Sequence, residues 1–162
     1  MTDLRVFPDT GVLVAMIMFP RDRHGQVSLA GEVLQLYDEG AFDLLLSRVV
    51  VDELDEVVDR DFLEHRHHLL AFLAPFEDQL LRWPTPEEIQ AVLPVVVDAD
   101  DAPIFAAALV AGLDIVLSND FQTFHTPQAK AFWKQHGMKV ESLYGLLCVF
   151  GLRERKGELP ST

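Results

Sequence analysis

Asp9, the group Asp98, Asp100 and Asp101, and Asp120 each come at the end of an apolar run, and this recurrence is the chemistry-bearing pattern of the chain. Asp9 closes Arg5-Val6-Phe7-Pro8, the three central aspartates follow Val95-Val96-Val97, and Asp120 comes after Ile115-Val116-Leu117-Ser118-Asn119. If those runs are strands of a parallel sheet, their carboxylates gather beyond the carboxyl edge, where such sheets bind ligands. Glu53 lies in a predicted helix, about two turns in, where its side chain can lean back toward the same edge. Carboxylates crowded in this way repel, so they either take up protons or bind a cation. No cysteine or close histidine pair falls at these positions, and oxygen donors alone select Mg2+ or Mn2+ over zinc. A divalent ion held there supports phosphodiester hydrolysis by activating water and neutralising charge at phosphorus, without a nucleophilic side chain. Each acid also has an ordinary role open to it: Asp9 as a turn residue or cap, Asp101 as the N-cap before Ala102-Pro103, Glu53 on a solvated helix face.

The elements that must position these acids follow from hydrophobic period and from breakers. Residues 5–9 read as a strand and 12–19 as a helix that Pro20 ends. A helix over 28–37 carries apolar positions 29, 33, 36 and 37 and stops at Gly40. Residues 42–46 read as a buried strand, and Ser47 caps a helix whose stripe is Val50, Val51, Leu54, Val57 and Val58. Next come a helix over 62–76, a short strand over 80–83, and a helical piece bracketed by Pro84, Pro86 and Pro94. The run 95–97 leads into a helix over 102–111 that Gly112 stops, then a strand over 114–118, a helix over 128–135, a strand over 138–141 and a last helix from Ser142. Strands alternating with helices predict an α/β fold, a parallel sheet covered on both faces. With 162 residues the chain has room for one core, so we expect a single domain over 1–152 and a frayed tail over 153–162.

Four segments together resemble the successive motifs of the PIN-domain ribonucleases: Val6-Phe7-Pro8-Asp9-Thr10-Gly11-Val12-Leu13-Val14, Val51-Asp52-Glu53-Leu54, Asp101-Ala102-Pro103-Ile104-Phe105-Ala106-Ala107-Ala108-Leu109 and Val116-Leu117-Ser118-Asn119-Asp120. Order and spacing match over most of the chain. The resemblance implies a three-layer α/β/α domain with a central, mainly parallel sheet. It also implies a Mg2+- or Mn2+-dependent nuclease acting on RNA, often the toxin half of a bacterial toxin–antitoxin pair. Carried over position by position, it gives an acidic tetrad of Asp9, Glu53, Asp101 and Asp120. Asp9 and Asp101 would hold the metal most directly and Glu53 and Asp120 would complete the shell, with Thr10, Ser118 and Asp98 in support. The family's first motif usually reads Asp-Thr-Asn, and Gly11 here removes the amide. That departure opens a second reading, a PIN-like binding or regulatory subunit with weakened catalysis.

Charge complicates a nucleic-acid substrate, because 26 acids against 13 Lys and Arg leave −13 at neutral pH. The stretch 121–140, however, has no acid and carries Lys130, Lys134, Lys139, His125, His136 and Trp133. It reads either as a landing strip for RNA phosphates, with Lys130 and Lys134 on the backbone and Trp133 or Phe124 stacking, or as an amphipathic helix with a lysine solvent face. Arg21, Arg23 and His24 form a second small basic candidate. Met16-Ile17-Met18-Phe19 cannot all be buried in one helix, which suits a partner: an antitoxin helix or a second copy of the chain. The adjacent His65, His67 and His68 are expected to point to different faces of a helix and to be surface residues. Asp9-Thr10-Gly11 also resembles half of an aspartic protease pair, but no second triplet exists and the chain is helix-rich. A receiver-type phosphotransfer domain needs a lysine ending its last strand, and Lys139 begins one. The single cysteine, Cys148, in an apolar run, reads as a buried thiol in a reducing compartment. With neither a secretory start nor a membrane-length apolar run, the expected location is the cytoplasm, with no membrane partner.

Overall fold

The computed structural model describes residues 4–155; of the expected frayed tail, residues 156–162 lie outside the described residues. Strand β1 (Arg5–Pro8) passes through Asp9 into helix α1 (Thr10–Met18), which ends at Phe19 ahead of Pro20. Helix α2 (Leu29–Asp38) is capped by Ser28, whose Oγ accepts from Gly31 N at 3.0 Å. Gly31 is required there, because a Cβ would stand 2.1 Å from the Pro20 carbonyl oxygen. Strand β2 (Asp43–Leu44) and helix α3 (Arg48–Asp61) follow, with Ser47 capping α3 through Val50 N. Helix α4 (Arg66–Leu73) lies between two single 3-10 turns. Helix α5 (Pro86–Val92) opens with a reciprocal Thr85–Glu88 capping box. Helix α6 (Ala102–Ala111) stops at Gly112, in the left-handed region at φ 61°. Strand β3 (Ile115–Leu117), helices α7 (Phe121–Phe124) and α8 (Pro127–Gln135), strand β4 (Lys139–Glu141) and helix α9 (Leu143–Val149) complete the described chain.

All four strands pair in parallel, in the order β2-β1-β3-β4. The chain leaves β1 toward β2 on one side and returns to β3 on the other, so its connections diverge between the two central strands. Pro8 is in register with Leu117, and Asp9 N donates to Leu117 O at 2.9 Å. That register decides that the residue after β1 meets the residue after β3. Helices α1, α2 and α9 pack in succession, as do α3, α6 and α5, giving the three-layer α/β/α arrangement. Phe7, Leu13, Met16, Leu54, Phe105, Leu117, Trp133 and Leu146 are fully buried at its centre.

Several local expectations are corrected. Residues 80–83 form no strand: Leu81 makes one parallel bridge to Ser47, then Arg82 binds Glu88 and the chain turns into the α5 cap. Residues 95–97 are not a strand either. Val95 ends a 3-10 turn over Leu93–Val95 and Val97 is 74% exposed, so an apolar run here is not a buried one. The helix expected over 62–76 is broken, since Phe62 leaves helical geometry at the end of α3 and Pro75 cannot continue α4. The strand over 42–46 shrinks to two residues because β2 is an edge strand with one partner. Cys148 is half-buried rather than buried. Among the described residues no helix is long and apolar enough to cross a membrane.

Candidate active site

Asp9 caps α1 from the end of β1, and this one side chain carries the geometry of the sheet edge. Its Oδ1 accepts from Val12 N at 2.8 Å and its Oδ2 accepts from the Ser118 hydroxyl. Both Asp9 and Ser118 are buried. Burial pushes the Asp9 carboxyl up from 3.8 to about 6; the two hydrogen bonds pull it down, and the Asp120 and Glu53 charges raise it again. Ser118 Oγ also accepts from Asp120 N at 3.0 Å, which folds the loop after β3 toward Asp9. Asp120 caps α7 through Thr123 N at 3.2 Å, and its carboxylate stays exposed.

Glu53 comes from α3, which packs against α1. Thr10 Oγ1 donates to Glu53 Oε2 at 2.7 Å, fixing it beside the first turn of α1. Asp101 begins α6, yet its side chain makes no capping bond, unlike the caps at Asp9, Ser28, Ser47 and Ser142. Its carboxyl is raised first by burial and then by the charges of Asp98, Asp120, Glu53 and Asp100. Asp9 and Asp101 are therefore each coupled to both Glu53 and Asp120. Asp98 is exposed and turned to local work, accepting from Asp100 N at 2.9 Å. Because 95–97 is not a strand, Asp101 reaches this edge from a helix start, and two strands, not three, contribute acids.

Among the described residues no ion pair reaches Asp9, Glu53, Asp101 or Asp120. An all-oxygen set of mutually repelling carboxylates without a cationic partner fits a hard divalent ion in chemistry. Among the described residues, no three His, Cys, Asp or Glu side chains are grouped as they would be around a metal ion. The edge thus supplies donors, held apart, rather than a closed cage. His65, His67 and His68 are exposed as expected, but their rings do not diverge: His65 stacks on His68 at 5.7 Å between centroids, and His67 meets His68 tilted at 4.0 Å.

The basic segment divides sharply by burial. Lys130 and Lys134 are exposed on α8, but Trp133 is fully buried against Phe105 and donates Nε1–H to Phe124 O at 3.1 Å. Neither Trp133 nor the buried Phe124 offers a free ring face, because both sit on the inward stripe of the segment. Two residues hold the loop, one of them, His125, named in the sequence only as part of the basic segment. His125 Nε2 lies 2.7 Å from Ser118 O, and Asn119 Oδ1 accepts from Leu143 N at 2.8 Å, pinning the loop to α9. For this holding role their signal is position within a few residues of Asp120. A family model described as PIN domain matches residues 5–122, from the first residue of β1 into α7. No curated protein and no solved structure matches the chain significantly.

Proposed function

The chain belongs to the PIN-domain family, whose members are in general nucleases, and from that premise we propose that it is a divalent-metal-dependent endoribonuclease. The observation that carries this reading is Asp9, a buried carboxyl in electrostatic contact with Glu53 and Asp120, with no cation beside it among the described residues. Asp9 and Asp101 would hold Mg2+ or Mn2+, with Glu53 and Asp120 around them. A bound divalent ion supplies an activated water and neutralises charge developing on the phosphoryl oxygens. The chain's own residues supply position: Val12 N and Ser118 fix the Asp9 oxygens, Thr10 fixes Glu53, and the Ser118–Asp120 contact orients the loop. Water adds at phosphorus and the 3′-oxygen leaves with a proton, giving a 5′-phosphate end. Lys130 and Lys134, exposed on α8, are suited to the RNA backbone. The protein acts in the cytoplasm as the toxin of a toxin–antitoxin pair. An antitoxin or second copy has an apolar face to cover, with Phe19 in edge contact with Phe62 and with Leu63 and Leu70 exposed.

Asp9→Asn and Asp101→Asn are each expected to lower single-stranded RNA cleavage in Mn2+ or Mg2+ by at least about a hundredfold. Cleavage at the wild-type rate by either purified variant overturns the assignment. The second reading, a weakened binding subunit, draws on Gly11: a Cβ there would meet only Asp9 Oδ1, at 3.7 Å, so the fold does not demand glycine. Calorimetry separates the two, because folded wild-type protein that takes up no Mn2+ at millimolar concentration is a binding module.

A further inference from the structure

A cavity of about 380 Å³ opens next to the acidic edge, between α7, α8, the end of β4 and α9. That volume lies in the range of small-ligand pockets. Phe121, the residue after Asp120, lines it; the residue is 58% exposed and its ring lies 4.3 Å, centroid to centroid, from the ring of His125. A carbonyl only accepts, so His125 Nε2 donates to Ser118 O, 2.7 Å away. Ser118 therefore touches both places: its hydroxyl holds Asp9 and its carbonyl holds His125. Among the described residues Glu141 is the one acid in the wall, and Arg155 binds it at 2.8 Å and 3.3 Å. Lys130, with no ion pair among the described residues, then sets the net charge of the cavity.

We propose that this cavity is a nucleotide subsite, which receives the nucleotide next to the scissile phosphate with its base on Phe121 and its phosphate at Lys130. The proposal rests on the reading of the acidic edge as a nuclease site and deepens it. An exposed aromatic face accepts any base, and a lone lysine suits a phosphate oxygen. Phe121 takes the stacking role that the buried Trp133 and Phe124 cannot. Adjacency through Ser118 makes the cavity the next stop for a strand whose phosphate lies at Asp9.

The test measures binding of a short fluorescein-labelled single-stranded RNA in EDTA, where cleavage plays no part. Phe121→Ala and Lys130→Glu are each expected to weaken binding at least about fivefold, the loss of one stacked base or one phosphate contact. Arg60→Glu, an equal change of charge on α3, leaves it unchanged. Cys148 is the only cysteine of the chain and lines the same cavity, so bound RNA should slow its reaction with an aromatic disulfide in wild type and in Arg60→Glu. Wild type that binds no RNA, wild-type affinity in both cavity variants, or binding that leaves Cys148 unprotected overturns the subsite. Both substituted side chains are exposed, and a thermal melt checks that each variant is folded. Cleavage in Mn2+ is scored separately. A wild type that never cleaves sinks the nuclease reading while the EDTA result stands, and a failed subsite leaves Asp9-dependent cleavage intact.

Discussion

Asp9 is pulled two ways, since ligating a metal needs its carboxylate while its burial favours the acid. In the folded, metal-free protein it keeps its proton up to about pH 6, whereas the unfolded chain releases it near 3.8. This group's contribution to stability is thus complete below 3.8 and lost as pH rises through about 6, a swing of about 3 kcal/mol. Asp9→Asn removes the swing, so in EDTA its stability relative to wild type should grow between about pH 4 and pH 7 in urea titrations. A pH-independent difference would remove Asp9 as the cause. Residues that hold the acids have separable effects. Thr10→Val frees Glu53 while leaving the core intact, and should cut cleavage about tenfold or more with little change in melting temperature. Ser118→Ala strips bonds from both Asp9 and Asp120 and should cost about 1 to 3 kcal/mol as well as activity. Gly11→Asn, which the backbone accommodates, raises the cleavage rate if the missing amide is what limits it.

At the scale of elements, the same atoms that end a helix or strand build the site. Asp9 is both cap and candidate ligand, and the uncapped start of α6 leaves the Asp101 carboxylate unspent. Strong local signals were legible in advance: Ser47 capping α3, Gly112 stopping α6, and Ser142 opening α9 all follow from side-chain chemistry within a few residues. The runs at 80–83 and 95–97 misled because apolar character implies burial only where a partner strand is present, and here one finds a single bridge and the other none. Close approach between elements was invisible for the same reason. Gly31 lets α2 pass against the Pro20 carbonyl, and Gly31→Ala should lower stability by about 1 to 3 kcal/mol, read as a shift in denaturation midpoint.

For the whole molecule, net charge and charge placement point in opposite directions. The chain carries −13, yet Lys130, Lys134 and Lys139 line one groove along the outer edge of β4, beyond the last residue matched by the family model. Binding of single-stranded RNA in EDTA should therefore be weak, with a log–log salt slope of about −2, as three lysine contacts allow. A slope near zero would exclude this strip from the interface. Read alone, the amino-acid sequence determined the class of fold, most of its elements and the aspartates that stand at their ends, because period, caps and breakers act over a few residues, while Glu53, inside α3, was singled out only by the family resemblance. Tertiary structure decided which acids share a field, that Trp133 is core and Phe121 surface, and that Ser118 joins Asp9 to His125. Those outcomes depend on strand register and on helices packing from distant parts of the chain, and no local pattern encodes either.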